Sequence, residues 1–438
     1  MNQGRFRSRI EKHIEFEQML SSTFYLRKHR NSHLHSPALP VISFQLFMNY
    51  KISHRAASLS SSLTLAIDSK AKQMKADGLD VVGFGVGEPD FDTPRHIKDA
   101  AIKALNEGFT KYTAASGIPE LRQAIADKFK RDNGLTYKPS QIIVSCGGKH
   151  SCYNVIIATC EEGDEVVIPA PYWLSYPEMV KLAGAKPVIV QTSDKTEFKV
   201  TPEQLRAAIT PRTRLFILNS PSNPTGSLYS RDEIKALGDI CVEKGVLIMS
   251  DEIYEKLVYD GAEHVSVASF SKAHYDHTIV VHGFAKAYSM TGWRLGYLAA
   301  PEPIAKAIDA IQSHSTSNPT SFAQKGAVEA LNGPQDHLKT WLEEYAKRRM
   351  FAYQKLNSIP GISCVNAKGA FYLFPNISKL GLNSTDFCAK LLEQEKVAAV
   401  PGIAFGTDEY IRISYATSMA NLEKGLERIE RFAKTLKK

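Results

Sequence analysis

The chain has 438 residues, of which 43% are hydrophobic and 23% charged, the proportions of a globular protein with a large buried core. Its formal net charge is +8, and about half of that excess comes from the first 47 residues, so the remainder is too small to indicate nucleic-acid binding. No uninterrupted apolar run approaches the ~20 residues that a membrane-spanning helix needs.

The first 47 residues differ from the rest of the chain. Arginine, serine and histidine are scattered through them without a helical or strand period, and we expect a poorly structured extension over residues 1–47. No apolar segment with a small-residue cleavage site follows the basic start, which argues against a secretory signal. Three glutamates, Glu11, Glu15 and Glu17, argue against a transit peptide.

Cysteine usage indicates the compartment. The six cysteines include no Cys-x-x-Cys pair, and no combination of histidine and cysteine has the spacing of metal ligands. Most of them fall in apolar periodic segments, where reduced thiols are common in cytosolic proteins. We therefore expect a cytoplasmic protein without a metal site.

Helix and strand signals alternate after the extension. Helices are predicted from Thr93-Pro94 to Glu107 and from near Pro119 to the residue before Gly134. The strand candidates are short apolar runs, namely Ile142–Ser145, Val166–Pro169, Leu215–Asn219, Val246–Ser250, Thr278–His282 and Gly296–Ala299. Because helical segments separate most of these runs, the pattern predicts an α/β fold with a large, mostly parallel sheet.

The pattern changes after about residue 330. A long charged helix is predicted over roughly Asp336–Asn357, followed by short strands near Phe371–Phe374 and Ile411–Tyr415. An amphipathic helix is predicted from Met419 to near the C-terminus. This region is expected to form a second, smaller α/β domain.

One lysine and one arginine stand out in the segment from His282 to Gly296. Lys286 follows an apolar run, and Arg294 lies eight residues later among small residues. A desolvated lysine amine attacks carbonyls to form a Schiff base, whereas the arginine fork suits a phosphate. An aldehyde and a phosphate in one ligand indicate pyridoxal 5′-phosphate. The alternative, a solvated lysine after an ordinary strand, does not account for Arg294 or the surrounding glycines.

The remaining candidates follow predicted strands, where ligands of open α/β sheets gather. Gly148 and Lys149 open a helix after a strand, which suits an anion, although a glycine pair is also a common turn. Asp251 ends another strand, and its carboxylate would keep a pyridine nitrogen protonated. Tyr254 and Asn223 could reach the phenolic oxygen of such a ring.

Two further residues have a functional and a structural interpretation. Trp173 follows a strand and could stack on a planar cofactor or belong to the core. Arg412 interrupts an apolar strand, and a buried arginine needs an anion. That anion is either a structural carboxylate or the carboxylate of a substrate held by the guanidinium fork.

From Met48 to the C-terminus, these segments occur in the order found in fold-type I, class I aminotransferases, and the chain resembles that family. It is most similar to the bacterial aspartate/prephenate aminotransferase branch, through residues 87–94, 117–122, 171–178 and 414–418. The resemblance implies an N-terminal arm with part of the small domain over 48–95, a large cofactor-binding domain over 96–330, and a C-terminal small domain over 331–438.

The resemblance also implies roles for single residues. Lys286 is the Schiff-base lysine and proton carrier, and Asp251 and Tyr254 complete the catalytic set. The residues expected to hold the cofactor are Gly148, Lys149, Trp173, Asn223, Asp251, Tyr254, Lys286, Arg294 and, from the neighbouring subunit of a homodimer with shared sites, Tyr112. The residues expected to contact the amino acid are Gly87, Trp173, Asn223 and Arg412.

The activity implied is transfer of the amino group of L-aspartate to 2-oxoglutarate. A prephenate or aromatic aminotransferase and a pyridoxal-phosphate-dependent β-lyase are the alternatives, since fold does not decide reaction. A regulator that only senses the cofactor would need a DNA-binding module, for which residues 1–47 are too few and too aperiodic.

Two positions depart from the family pattern. Gly283 stands three residues before the lysine, where many relatives have a serine, so one phosphate contact is expected to be missing or replaced. Ser60 stands where prephenate-active relatives tend to have a basic residue, and the nearest base is Arg55. This second difference favours aspartate over prephenate.

Overall fold

The computed structural model describes residues 51–60 and 63–436, so the expected extension over residues 1–47 lies outside the described residues. From Ile52 onward the chain forms one unit, and its division into a large and a small domain stays a prediction. In chain order the strands are β1 (Val82–Gly83), β2 (Ile142–Ser145), β3 (Glu165–Ala170), β4 (Lys186–Gln191), β5 (Thr213–Asn219), β6 (Leu247–Asp251), β7 (Thr278–Gly283), β8 (Gly296–Ala299), β9 (Tyr372–Leu373), β10 (Val397–Ala398), β11 (Val400–Pro401) and β12 (Ile411–Ser414).

Helices connect most of these strands. In the described part of the chain they are His54–Ala57, Leu63–Ala76, Arg95–Asn106, Pro119–Asn133, Gly148–Thr159, Ser175–Leu182, Pro202–Ala208, Arg231–Lys244, Lys272–His277, Glu302–Ser315, Ser321–Asn332, Asp336–Ser358, Ser384–Glu395 and Met419–Thr435. None of these helices is both long and apolar enough to cross a membrane.

The main sheet has seven strands in the order β2-β8-β7-β6-β5-β3-β4. Six of them run in one direction, and β8 is antiparallel to both of its neighbours. Alternate residues of its central strands enter two different core clusters, with Val166 on one face and Val167 on the other. Because helices cover both faces, these strands appear in the sequence as continuous apolar runs.

The predicted elements of this sheet are confirmed to within a few residues. Ile142–Ser145 and Gly296–Ala299 have the expected bounds, and Val166–Pro169 is extended by one residue at each end. Strand β4 was not predicted. It lies at the edge of the sheet and its residues are half-buried or exposed, so it lacks the apolar run that marks the central strands.

Proline and glycine set the ends of the Pro119–Asn133 helix. Pro119 occupies the first helical turn, where its missing N–H costs nothing, and Gly134 ends the helix with a φ of 67°. These two signals are local, which is why both ends of this helix were predicted correctly.

Two small sheets accompany the main one. Strands β11, β12 and β9 form an antiparallel sheet in that order, and β1 pairs in parallel with β10. The core cluster beside them extends from Val82 to Ala433, so an early segment of the chain packs with the C-terminal region. The protein thus has an α/β fold with a large, mostly parallel sheet and a smaller α/β part.

Candidate active site

A cavity of about 420 Å³ opens at the carboxyl edge of the main sheet, bounded on another side by residues of β9 and β12. All of the residues expected at the site except Tyr112 line it, namely Gly87, Gly148, Lys149, Trp173, Asn223, Asp251, Tyr254, Lys286, Arg294 and Arg412. The side chains predicted from separate parts of the sequence therefore meet in one place.

Strand order explains this convergence. The neighbours β7, β6 and β5 end next to each other, and Lys286, Asp251 and Asn223 are at or shortly after their ends. Arg294 lies just before β8, and Gly296 of that strand pairs with Ser145 at the end of β2. Since β8 runs in the opposite direction, its beginning lies at the edge where the other strands finish.

Lys286 loses its proton more readily than an ordinary lysine. Its Nζ donates a hydrogen bond to the backbone oxygen of Gly87 and lies 5.5 Å from the ring centroids of Tyr254 and Phe371. Burial, reinforced by the positive charge of Arg412, lowers the pKa of Lys286 to about 8. A lysine with this pKa has a substantial neutral fraction near physiological pH and can attack a carbonyl carbon.

An anion cradle lies at the start of the Gly148–Thr159 helix. Gly147 has a φ of 94°, and a Cβ at this position would overlap the Arg294 guanidinium, so the close approach requires glycine. Burial lowers the pKa of Lys149, and the Arg294 charge lowers it further. Neither Lys149 nor Arg294 forms an ion pair with another described residue. A helix N-terminus with two such cations suits a phosphate.

Asp251 lies inside the cavity as a buried carboxyl group. Its Oδ2 accepts a hydrogen bond from the Tyr176 hydroxyl at 2.7 Å, and its Oδ1 accepts one from the backbone N–H of Ile253 at 3.2 Å. Burial raises the pKa of Asp251, while the Tyr176 hydrogen bond opposes that rise. A cationic N–H in the cavity would favour the ionised carboxylate.

Asn223 and Tyr254 offer polar groups to the same space. The backbone N–H of Asn223 donates to Asn219 Oδ1 at 2.9 Å, and Asn219 Nδ2 donates to the backbone oxygen of Asp251 at 3.0 Å. The Tyr254 hydroxyl lies 2.8 Å from the Tyr372 hydroxyl. Burial raises the pKa of Tyr254 well above its ordinary value, so it is a hydrogen-bond donor at neutral pH.

Arg412 is a buried cation without a counter-ion. Its side chain donates to Asn223 Oδ1 at 2.9 Å and to the backbone oxygen of Gly85 at 2.6 Å. Its Nε has no hydrogen-bond partner, and no carboxylate among residues 51–60 and 63–436 pairs with it. The structural salt bridge considered for Arg412 is therefore not seen in the described part of the chain, and the guanidinium faces the cavity.

Trp173 and Tyr112 have different surroundings. Trp173 lines the cavity, and Lys149 Nζ lies 5.0 Å above its ring. Tyr112 is 91% exposed and lies outside the cavity of its own chain. Its expected role concerns a neighbouring subunit and stays a prediction.

The structure shows the surroundings of Gly283 and Ser60, the two positions that depart from the family pattern. A Cβ on Gly283 would lie 2.9 Å from Ile253 Cδ1 and 3.2 Å from Gly296 Cα, so this position in β7 has no room for a serine without rearrangement. The backbone N–H of Ser60 donates to Glu178 Oε2 at 3.1 Å.

Sequence reasoning missed several residues that line the cavity, and three of them contact residues that it did predict. Tyr176 holds Asp251, Asn219 holds Asn223, and Tyr372 contacts both Tyr254 and Arg412. Asn219 and Tyr176 lie in the motifs already singled out, and their proximity to other candidates was the available signal. Tyr372 follows Phe371 in an apolar segment and carries no signal that distinguishes it from a core tyrosine.

Comparison with known proteins places this cavity in a family. A profile described as "Aminotransferase class I and II" matches residues 79–429. An aspartate aminotransferase of Geobacillus stearothermophilus is 54% identical over 387 residues, covering 87% of this chain and 98% of the relative. An aspartate/prephenate aminotransferase of Nitrosomonas europaea is 49% identical, with 86% and 98% covered. The structure of the Thermus thermophilus aspartate aminotransferase with maleate superimposes with a TM-score of 0.83 at 42% identity, covering 87% of this chain and all of that one.

Proposed function

The chain belongs to the class I and II aminotransferase family, and we propose that it transfers the amino group of L-aspartate to 2-oxoglutarate with pyridoxal 5′-phosphate as cofactor. Relatives named aspartate aminotransferase are 50–54% identical over nearly their whole length. The observation that supports an amino-acid substrate is Arg412, which is buried without a described counter-ion and suits an α-carboxylate, while the choice of aspartate rests on the relatives.

The residues of the cavity fit the cofactor. Arg294, Lys149 and the N–H groups at the start of the Gly148–Thr159 helix would hold its phosphate, and Asp251 would pair with its ring nitrogen. Tyr254 and Asn223 would bond the phenolic oxygen, and Trp173 would cover the ring face. When bound, the cofactor supplies an aldehyde that takes the amino group and a ring that withdraws electrons from the α-carbon.

Lys286 and Arg412 have different roles toward the substrate. Arg412 binds the α-carboxylate with its planar fork and thereby orients the α-carbon. The neutral Nζ of Lys286 then takes the proton from that carbon and would deliver it to the carbon of the cofactor that receives the amino group, and the reverse transfer would follow with 2-oxoglutarate. Gly87 keeps Lys286 in place through its backbone oxygen, and the buried position of Arg412 excludes water from the carboxylate that it binds.

The activity is tested by mixing the purified holoenzyme with L-aspartate and 2-oxoglutarate and following oxaloacetate. Oxaloacetate formed only when 2-oxoglutarate is present supports the proposal. Release of ammonia or pyruvate without an amino acceptor would instead indicate a β-lyase. A panel of amino donors, read by the absorbance of the bound cofactor in the half-reaction, then defines the donor range.

Prephenate is the second candidate substrate, because relatives named aspartate/prephenate aminotransferase are 46–50% identical to this chain. The same assay with prephenate as acceptor decides the matter. Prephenate-active relatives tend to have a basic residue where this chain has Ser60, so we expect prephenate to be a poorer acceptor than 2-oxoglutarate.

Arg412→Lys is expected to lower kcat/KM for dicarboxylic amino acids on the order of a hundredfold, as ~2–3 kcal/mol of charge-assisted bonding is lost. Lysine keeps the charge but not the planar fork. The absorbance of the bound cofactor should barely change, because Arg412 is assigned to the substrate. Steady-state kinetics and absorbance spectra measure both effects.

Arg349→Lys is the matched control, because Arg349 is also fully buried but is paired with Asp260. This control should lower the thermal stability and leave KM unchanged. The substrate role of Arg412 is wrong if Arg412→Lys behaves in the same way, with an unchanged KM in the fraction that remains folded.

The pKa of Lys286 predicts how uptake of the cofactor by the apoprotein depends on pH. Its amine is protonated below a pKa of about 8, so the uptake rate should rise roughly tenfold per pH unit toward about 8 and then level off. Stopped-flow absorbance measures this rate. A rate that keeps rising about tenfold per pH unit through pH 9 would contradict the lowered pKa.

The lowered pKa of Lys286 also makes the stability of the folded apoprotein depend on pH. Between about 8 and the ordinary 10.5, the unfolded chain holds a proton on Lys286 that the folded apoprotein does not. This group therefore makes the folded apoprotein relatively more stable as the pH rises through that window.

A cytoplasmic homodimer with shared sites completes the proposal. Tyr112 is almost fully exposed, and Ile102 and Leu105 on the Arg95–Asn106 helix are about half exposed, which supports burial of this face against a second copy. Light scattering is expected to give twice the mass of one chain. A monomeric mass with full activity would contradict the shared site.

A further inference from the structure

Tyr372 is a residue of the cavity to which no role has been assigned above. It lies on β9, which pairs with β12, the strand that carries Arg412. Its side chain is among the largest fully buried ones in the described part of the chain, yet it lines the cavity. Tyr372 therefore occupies the boundary between the small antiparallel sheet and the site.

The ring of Tyr372 supports Arg412. The Arg412 guanidinium lies 4.6 Å from the centroid of this ring and 5.1 Å from that of Phe405. Since no described carboxylate neutralises Arg412, aromatic faces and hydrogen-bond acceptors provide its electrostatic compensation. The ring also limits the directions in which the guanidinium plane can turn.

The hydroxyl of Tyr372 reaches the other side of the site. It lies 2.8 Å from the Tyr254 hydroxyl, and a Cβ on Gly87 would come within 2.6 Å of it. The Gly87 backbone oxygen accepts a hydrogen bond from Lys286. One side chain thus contacts the group that binds the carboxylate and a tyrosine assigned to the cofactor, and its hydroxyl occupies the space beside Gly87, the residue that holds the lysine.

We propose that Tyr372 is a positioning residue that joins Arg412 to Tyr254, with its ring orienting the guanidinium and its hydroxyl orienting the Tyr254 hydroxyl. The inference rests on the proposed function. A hydroxyl has one proton, so when Tyr254 donates its proton to a cofactor oxygen, the proton in the 2.8 Å contact between the two hydroxyls must come from Tyr372. The two parts of the side chain therefore have separable effects.

Tyr372→Phe and Tyr372→Leu separate these effects in the holoenzyme. The probe is maleate, a dicarboxylate that cannot be transaminated, and its Kd is read from the change in cofactor absorbance. In Tyr372→Phe the maleate Kd should stay within about twofold of wild type, kcat for aspartate should fall about three- to tenfold, and the pH midpoint of the cofactor absorbance should rise. In Tyr372→Leu the maleate Kd should increase about tenfold.

Tyr415→Phe is the matched control. Tyr415 is buried in the same core, and its hydroxyl donates to the backbone oxygen of Ala370 at 3.0 Å, outside the cavity. This variant should leave the maleate Kd and the absorbance midpoint unchanged. A general effect of removing a buried hydroxyl would appear in it as well.

The outcomes distinguish the inference from the proposed function. If wild-type enzyme neither binds maleate nor transaminates aspartate, the proposed function fails. If wild type does both and Tyr372→Phe matches it in kcat and absorbance midpoint, the inference is overturned, whether or not Tyr372→Leu folds. An equal loss of maleate affinity in Tyr372→Phe and Tyr372→Leu would also overturn it, since the ring is retained in the first.

Discussion

Lys286→Ala is expected to lower kcat/KM for L-aspartate by at least about 10⁴-fold, the upper range for loss of a general acid–base group. The Lys286 amine lies in the cavity, where it donates a hydrogen bond to the backbone oxygen of Gly87. Its pKa of about 8 makes it available as a base. The variant should fold, since alanine removes a desolvated amine rather than a paired one. The oxaloacetate assay measures the loss, and the absorbance of the bound cofactor should change with it.

Two further variants serve as controls for the loss of activity in Lys286→Ala. Lys286→Arg keeps a positive charge that cannot be removed near neutral pH, so it should be as inactive as the alanine variant. Lys235→Ala removes an exposed lysine paired with Asp239 and should leave the activity unchanged. Turnover by Lys286→Ala within about tenfold of wild type would show that another group moves the proton.

Asp251→Asn is expected to lower kcat on the order of 10³-fold, since a charge-assisted bond worth about 4 kcal/mol in a buried site is lost. The asparagine keeps the shape and can still accept a hydrogen bond from Tyr176, but it cannot stabilise a protonated ring nitrogen. KM for aspartate should change far less than kcat, because Asp251 is not assigned to the substrate. Single-turnover absorbance measurements separate the two effects.

Glu252→Gln is the matched control for this variant. Glu252 is the adjacent buried carboxylate, held by Ser250, His264 and Ser266 and outside the cavity. Its replacement should lower the thermal stability and leave kcat of the folded protein near wild type. Equal losses of kcat in the two variants would mean that Asp251 acts only through the fold.

The identities of the chemical groups could be predicted from the sequence because their signals are local. Strands that are covered on both faces appear as apolar runs, so β2, β6 and β7 were located to within a residue or two. In a mostly parallel sheet the residues after such strands share one edge, so the sequence predicts that Asp251 and Lys286 lie close together. The half-exposed β4 has no such run and was missed.

What could not be predicted depends on groups that are distant along the chain. Sequence spacing does not show that β8 runs against its neighbours, which is what places Arg294 at the shared edge. Tyr372 has the sequence context of a core residue, and only the pairing of β9 with β12 puts it beneath Arg412. The lowered pKa of Lys286 has the same origin, because desolvation requires the segment around Gly87 to pack over it.

From the sequence alone one can predict which residue types line the cavity and at which strand ends they lie, because capping, apolar runs and motif spacing are properties of neighbouring residues. Whether a carboxylate pairs with Arg412 depends on the tertiary structure, since a counter-ion can come from any part of a folded chain. In the described residues that counter-ion is absent and the guanidinium faces the cavity. A buried charge is costly unless it is paired, so its partner is expected to be the substrate.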